Sequence, residues 1–241
     1  MRIDTRSALV DELVLANHIL FNRGVVDAFG HVSVRDDRDP QRFLMARNMA
    51  PAQVAADDVM AFTFDGTPLG GDDRRPYLER FIHGSIYRAR PDVGAVVHSH
   101  SPAVIPFGIV AGVPLRPVCH MSSFLSEGAP VFEIREAAGP DNDMLVRDER
   151  LGDALARTLG SSPAVLMRGH GSTVVGRTVR HAVFRAVYTE INARLQAEAL
   201  RLGPVTYLSE REAHGASLAN EGQIDRAWEL WSRERSALSV L

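Results

Sequence analysis

Two periods of apolar residues divide the chain. Residues 8–21, ALVDELVLANHILF, put apolar side chains on one face and Asp11, Glu12, Asn17 and His18 on the other. That is an amphipathic helix rather than the apolar run of a signal peptide. Its end is expected near Arg23-Gly24, with Gly24 suited to a left-handed cap. HVSVR (31–35) alternates Val inward with His, Ser and Arg outward, as a half-buried strand would. DDRDPQ (36–41) has turn chemistry, and RFLMA (42–46) reads as the returning strand. VMAFTFDGTPLG (59–70) reads as strand, Asp-Gly turn, strand.

Residues 76–90, PYLERFIHGSIYRAR, begin with Pro and space Leu78, Phe81, Ile82, Ile86 and Tyr87 as a helix that stops before Pro91. GAVVHSH (94–100) is a buried strand, with a short helix expected over 102–111. AVLMRGHGSTVVG (164–176) reads as strand, Gly-His-Gly turn, strand. Residues 179–202 carry the longest helical pattern, closed by Gly203-Pro204. Ser209 and Glu212 have capping-box spacing, and GQIDRAWELWSRE (222–234) is a last amphipathic helix. Strands and helices interleave, so the class is α/β. No repeat or Pro/Gly-rich linker divides the chain, and one domain over residues 1–241 is expected.

Composition then removes several function classes. The formal net charge is −3 and no basic patch marks a nucleic-acid partner. No apolar run approaches the roughly 18 residues of a membrane span, so a soluble, cytoplasmic protein is expected. The single cysteine, Cys119, excludes a disulfide framework and a Cys-based zinc site.

The histidines carry the chemistry. His98 and His100 lie two apart in a strand, so both rings point to one face. Nine histidines give about 0.3 such pairs by chance, so the pair alone leaves ligation and an ordinary strand-end role both open. His170 lies between two glycines, whose small size lets other groups approach. Glu79 lies on the predicted helix before the His-x-His strand. Three neutral imidazoles with an open position suit zinc and other divalent transition metals, and a nearby carboxylate can complete the shell or act as acid or base.

PYLERFIHGSIYRARPDVGAVVHSHSPAV resembles the core motif of the class II aldolase/adducin family: a Glu near a helix start, a His one turn later, RPD, then VVHxH. AVLMRGHG is similar to the family's apolar strand ending in HG. The resemblance implies a three-layer α/β/α sandwich with a central, largely antiparallel sheet. It implies one metal per subunit (Zn, Mn, Co or Fe) on His98, His100 and His170, with Glu79 as acid/base. It also implies a homotetramer with active sites between subunits. His83 matches the His after Glu79, as support for the site or as plain packing.

Departures from the sugar-phosphate members are informative. GHVS (30–33) has His31 where they carry Asn, ARNM (46–49) replaces a Thr/Ser/Gly loop, and PYLE (76–79) puts Tyr77 and Leu78 in place of two serines. Bulk replaces phosphate donors, so a phosphorylated sugar is not expected. Arg47, Arg75 and His31 suit carboxylates, and Tyr77 offers an aromatic wall. The segments VVDAFGHVS and HSHSPAVIPF resemble the branch that decarboxylates hydroxylated aromatic or heteroaromatic dicarboxylates. The expected reaction breaks a C–C bond and leaves a carbanion that a divalent cation would stabilise as an enolate-like ring. A retro-aldolase of a non-phosphorylated hydroxy acid, an iron oxygenase and a non-catalytic adducin-like scaffold are the alternatives. His120, in RPVCHMSS, either lines the active site or is structural, and His214 is read in a loop from which it could reach a neighbour's site.

Overall fold

The predicted strands feed two separate cores. Val32, Val34, Leu44, Ala95, Val97, Leu166 and Val174 belong to one. Phe43, Met45, Val96, Val165, Met167 and Val175, their neighbours in sequence, belong to the other. Side chains alternate across a strand, so both faces of the sheet are buried. The computed structural model, which describes residues 5–238, shows why.

Seven strands form one mixed sheet: β1 (His31–Arg35), β2 (Arg42–Ala46), β3 (Val59–Thr63), β4 (Ala95–Ser99), β5 (Val131–Phe132), β6 (Ala164–Met167) and β7 (Gly171–Gly176). Their order is β3-β2-β1-β4-β7-β6-β5. Only β5 and β6 run parallel; the other neighbours are antiparallel. The helices are α1 (Thr5–Asn22), α2 (Arg80–Ala89), α3 (Ile105–Ile109), α4 (Ile134–Ala138), α5 (Glu149–Leu159), α6 (Val179–Leu202), α7 (Glu210–Glu221) and α8 (Ile224–Leu238). Leu13, Ile19 and Leu20 of α1, Val183 and Val187 of α6 and Trp228 and Trp231 of α8 cover one face. Ile82, Ile86 and Tyr87 of α2 and Leu151, Leu155 and Leu159 of α5 cover the other. The result is the expected α/β/α sandwich. Among the described residues, no helix is long and apolar enough to cross a membrane.

Several expectations need correction. β1 is not half-buried: His31 and Ser33 are enclosed along with the valines, because α2 packs over their face. α2 starts at Arg80 rather than near Pro76. Glu79 is its N-cap residue but makes no side-chain cap, and its carboxylate serves the site described below. After β3 the chain makes the Asp-Gly turn, yet the return arm forms only a single Phe62–Pro68 bridge. Pro68 has no N–H for a ladder. His214 lies within α7, not in a loop. Gly24 takes the left-handed conformation expected after α1, with φ of 68°. β5, α4 and α5 add to the elements expected above.

His83 of α2 has no exposed surface. Burial first, then the His98 ring, lowers its proton affinity well below that of an ordinary imidazole. The unfolded chain therefore takes up a proton near pH 6.5 that the folded chain refuses. Stability is full above that pH and falls as pH drops through it. Denaturant titrations at pH 7.5 and 5.5 should show wild type losing about 1.4 kcal/mol more than His83→Gln over this interval. Equal losses would mean that His83 is protonated in the folded protein.

Candidate metal centre and active site

β4 and β7 bring the ligand groups together. His98 sits opposite His31 on one side and opposite Thr173 on the other. His100 follows one residue beyond β4, and His170 occupies the turn between β6 and β7. Gly169 in that turn has φ of 65°, a conformation that a side chain would strain. Gly171 lets β7 lie against the end of β4: a Cβ there would stand 2.0 Å from the Ser99 carbonyl oxygen.

The four predicted groups converge. One ligand atom from each of Glu79, His98, His100 and His170 lies within 4.8 Å of all the others. The Nε2 atoms of His98 and His100 are 3.3 Å apart, and those of His100 and His170 are 2.9 Å apart. Glu79 Oε2 is 3.5 Å from Nε2 of both His98 and His170. Ligands about 2.0–2.1 Å from a tetrahedral metal stand roughly 3.3 Å from one another, so the spacing fits a divalent ion. The donor chemistry fits as well. His170 Nδ1 donates to the Met144 carbonyl at 2.9 Å, which leaves its Nε2 lone pair aimed at the cluster.

Electrostatics point the same way. Burial alone would raise the Glu79 carboxyl, but the His98 and His170 rings outweigh it and the group is ionised. Burial would lower His170, yet the Glu79 carboxylate reverses that and raises it. Burial, then the His98 and His170 rings, brings His100 down to about 4. An enclosed carboxylate among imidazoles is a place that attracts positive charge.

Two supports come from segments that carried no motif. Val146 N–H donates to Glu79 Oε1 at 2.9 Å, so one loop between α4 and α5 orients both Glu79 and, through Met144, His170. The buried Glu190 of α6 accepts from Ser101 Oγ and from Ala103 N–H, and Arg194 pairs with its other oxygen. That fixes the chain just after His100. Turn residues in GPDND (139–143) hint at a loop, but nothing in one sequence shows what the loop touches.

A pocket of about 370 Å³ opens over the cluster. Phe29, His31, Met49, Tyr77, Leu78, Glu79, His98, His100 and Leu145 line it, together with Ala28, Gly30, Asn48 and Ala50. The three segments that depart from the sugar-phosphate pattern thus meet at one rim. Tyr77 donates its hydroxyl proton to the Met49 carbonyl and lies 4.7 Å from the His31 ring. Burial pushes the Tyr77 phenol up to about 12, so it stays neutral. Arg47 and Arg75 do not line the pocket within this chain. Arg47 pairs with Asp58 at 2.7 Å, and Arg75 is exposed, its carbonyl accepting from Asn48 N–H. His120 is exposed beside Leu208 and Glu212, over a different depression.

Residues 11–197 match the family described as Class II Aldolase and Adducin N-terminal domain. The chain belongs to the class II aldolase and adducin family. It is 38% identical to Decarboxylase tropJ of Talaromyces stipitatus over 240 residues, covering 90% of each protein. It is 31% identical to a 3,4-dihydroxyphthalate decarboxylase of Terrabacter sp., over 75% of this chain and 77% of that one. Among solved structures, L-fuculose 1-phosphate aldolase from Glaciozyma antarctica PI12 matches with a TM-score of 0.78 at 24% identity, over 97% of this chain and 92% of that one. That likeness concerns the fold. Together the relationships make this family member a lyase, with carboxy-lyase chemistry favoured over aldehyde-lyase chemistry.

Gly171→Ala tests the packing that assembles the cluster. The added methyl must push β7 away from β4, an overpacking cost of about 1–3 kcal/mol. The variant should melt at lower temperature than wild type in a thermal denaturation scan. An unchanged melting temperature would show that the close approach is not required.

Proposed function

We propose that this chain is a divalent-metal-dependent decarboxylase of hydroxylated aromatic or heteroaromatic dicarboxylates. One observation carries the reading: the ligand cluster opens into a pocket with aromatic and aliphatic walls and no Lys or Arg side chain among its lining residues. A phosphate needs several convergent donors. Met49, Tyr77 and Leu78 offer apolar surface instead, suited to a flat ring. The decarboxylase relatives support the same reading.

His98, His100 and His170 would hold the metal, with Zn, Mn, Co and Fe all compatible with these donors. When bound, such an ion supplies a Lewis acid beside the substrate oxygen next to the breaking bond. The chain's own residues supply the rest. Loss of CO₂ leaves an electron pair on a ring carbon, which must receive a proton. Glu79 is ionised, with Oε1 pinned by Val146 and Oε2 facing the cluster. It takes the proton of the substrate hydroxyl and returns it to the ring carbon. Arg75, whose backbone carbonyl accepts from Asn48 N–H at the rim, and Arg47, next to Asn48 but paired with Asp58, lie outside the lining and would have to turn toward the pocket to hold the second carboxylate. The Arg75 guanidinium has no ion-pair partner among the described residues. A homotetramer with sites between subunits completes the reading, and His120 enters a site only if a neighbouring copy brings it there.

Metal analysis of the purified protein, followed by a CO₂-release screen against hydroxylated aromatic dicarboxylates, tests the proposal. Chelation should abolish turnover and re-addition of one divalent metal restore it. Glu79→Gln should lower kcat by about 10²–10⁴ with the fold intact. Release of an aldehyde in place of CO₂ would replace this reading with a retro-aldolase.

A further inference from the structure

Beneath the pocket runs a buried line of four polar side chains. His31 Nδ1 lies 2.7 Å from His83 Nε2, and His83 Nδ1 lies 2.6 Å from Ser33 Oγ. Ser33 Oγ is 2.8 Å from the Tyr87 hydroxyl. His31 is 5% exposed and the other three are 1% or less. β1 supplies His31 and Ser33 on one face, and α2 supplies His83 and Tyr87 one turn apart.

Only one direction of donation satisfies every proton. A phenol must donate, and Ser33 is the hydrogen-bond partner of the Tyr87 hydroxyl. If Ser33 donated to Tyr87, the phenol proton would be buried without an acceptor: the Val96 backbone group that also meets the hydroxyl favours the ionised phenol, as a donor does, and so cannot take the proton. Tyr87 therefore donates to Ser33, and Ser33 donates to His83 Nδ1. His83 then carries its proton on Nε2 and donates it to His31 Nδ1. The His31 proton is left on Nε2, at the opposite side of the ring. That atom has no hydrogen-bond partner among the described residues, and it is not sealed in: His31 lines the pocket. Its ring lies 5.0 Å from the His98 ring and 4.7 Å from the Tyr77 ring, beside the ligand cluster.

We propose that Tyr87, Ser33 and His83 form a one-way hydrogen-bond relay that locks His31 as its Nε2–H tautomer, making it a donor to an ionised substrate oxygen beside the metal centre. His31 touches the substrate; the other three are positioning residues. A neutral ring held in one tautomer can give a proton but cannot accept one at that atom. It therefore selects a carboxylate or phenolate oxygen over a hydroxyl that must itself donate. The role assigned to His31 rests on the decarboxylase reading above, whereas the relay rests on geometry alone.

The test uses the zinc-loaded full chain labelled with ¹⁵N-histidine. Long-range ¹H–¹⁵N correlations should show His31 and His83 as Nε2–H tautomers, and Ser33→Ala should mix or invert them. Binding is read by calorimetry with phthalate, which offers only carboxylates, and with catechol, which offers only phenolic oxygens. The probe whose oxygen meets His31 should bind roughly tenfold more weakly to His31→Leu and to Ser33→Ala, with metal content unchanged. The double variant should lose no more than His31→Leu alone, and Ser33→Thr should restore affinity. A merely structural Ser33 would give additive losses, and that outcome overturns the relay. So does a His31 proton on Nδ1, or binding of both probes unaffected by His31→Leu. The spectrum is read without turnover, so it fails or succeeds separately from the CO₂ screen.

Discussion

Three imidazole nitrogens and a carboxylate oxygen crowd within 4.8 Å, and the architecture of this chain follows from holding them there. Lone pairs at such separations repel unless a cation lies among them, and enclosing a carboxylate has its own desolvation cost. Flexible supports would let the groups drift apart. Here His98 hangs on the central strand of a sheet with helices on both faces, His100 follows just beyond its end, and His170 sits on a turn pressed against that end. Backbone groups of residues 144–146 hold the rest, with one carbonyl orienting His170 and one amide orienting Glu79. The apolar cores on the two faces provide the stability against which this local cost is offset.

The α2 face of the sheet is not uniformly apolar. Phe43, Phe62 and Tyr87 stack over it, with Phe43 and Phe62 5.2 Å apart. Towards the pocket the same layer turns polar through Ser33, His83 and His31. Buried polar groups are tolerated when each finds a partner. The relay meets that condition at every atom except His31 Nε2, which faces the pocket. A buried polar line satisfied at every atom but the one at its pocket end leaves that end free to meet a ligand.

The fold was largely legible because period dominates it. Residues 31–35 and 42–46 were expected as strands and 179–202 as a helix, and all three have those bounds. The capping box at Ser209 and Glu212 forms as its spacing predicts. What failed was context. Alternation in HVSVR implied an exposed polar face, whereas a second helical layer buries it and matches its polar side chains with α2. α5 has Leu151, Leu155 and Leu159 at helical spacing after an Asp148 cap, so its signal is present in the sequence but short. The cluster of Glu79, His98, His100 and His170 was legible as a set of residue types in order. Met144, Val146 and Glu190 were not, because two act through backbone atoms and the third through a contact 89 residues away in sequence.

Under the proposed function, the rim shows how one scaffold can keep a cluster fit for a metal and change what lies over it. Phosphate recognition needs several donors at once, usually backbone N–H groups with room to converge. Tyr77 takes up that room by lying tilted against the His31 ring and donating its hydroxyl proton to the Met49 carbonyl. Few, directional donors are consistent with the proposed substrate class: a rigid planar ligand keeps its oxygens at fixed angles, whereas a flexible one must be ordered on binding. The cluster sets where the chemistry happens. In the proposed reading the aromatic and aliphatic walls select the ring, and the cationic side chains outside the lining are left for the second carboxylate.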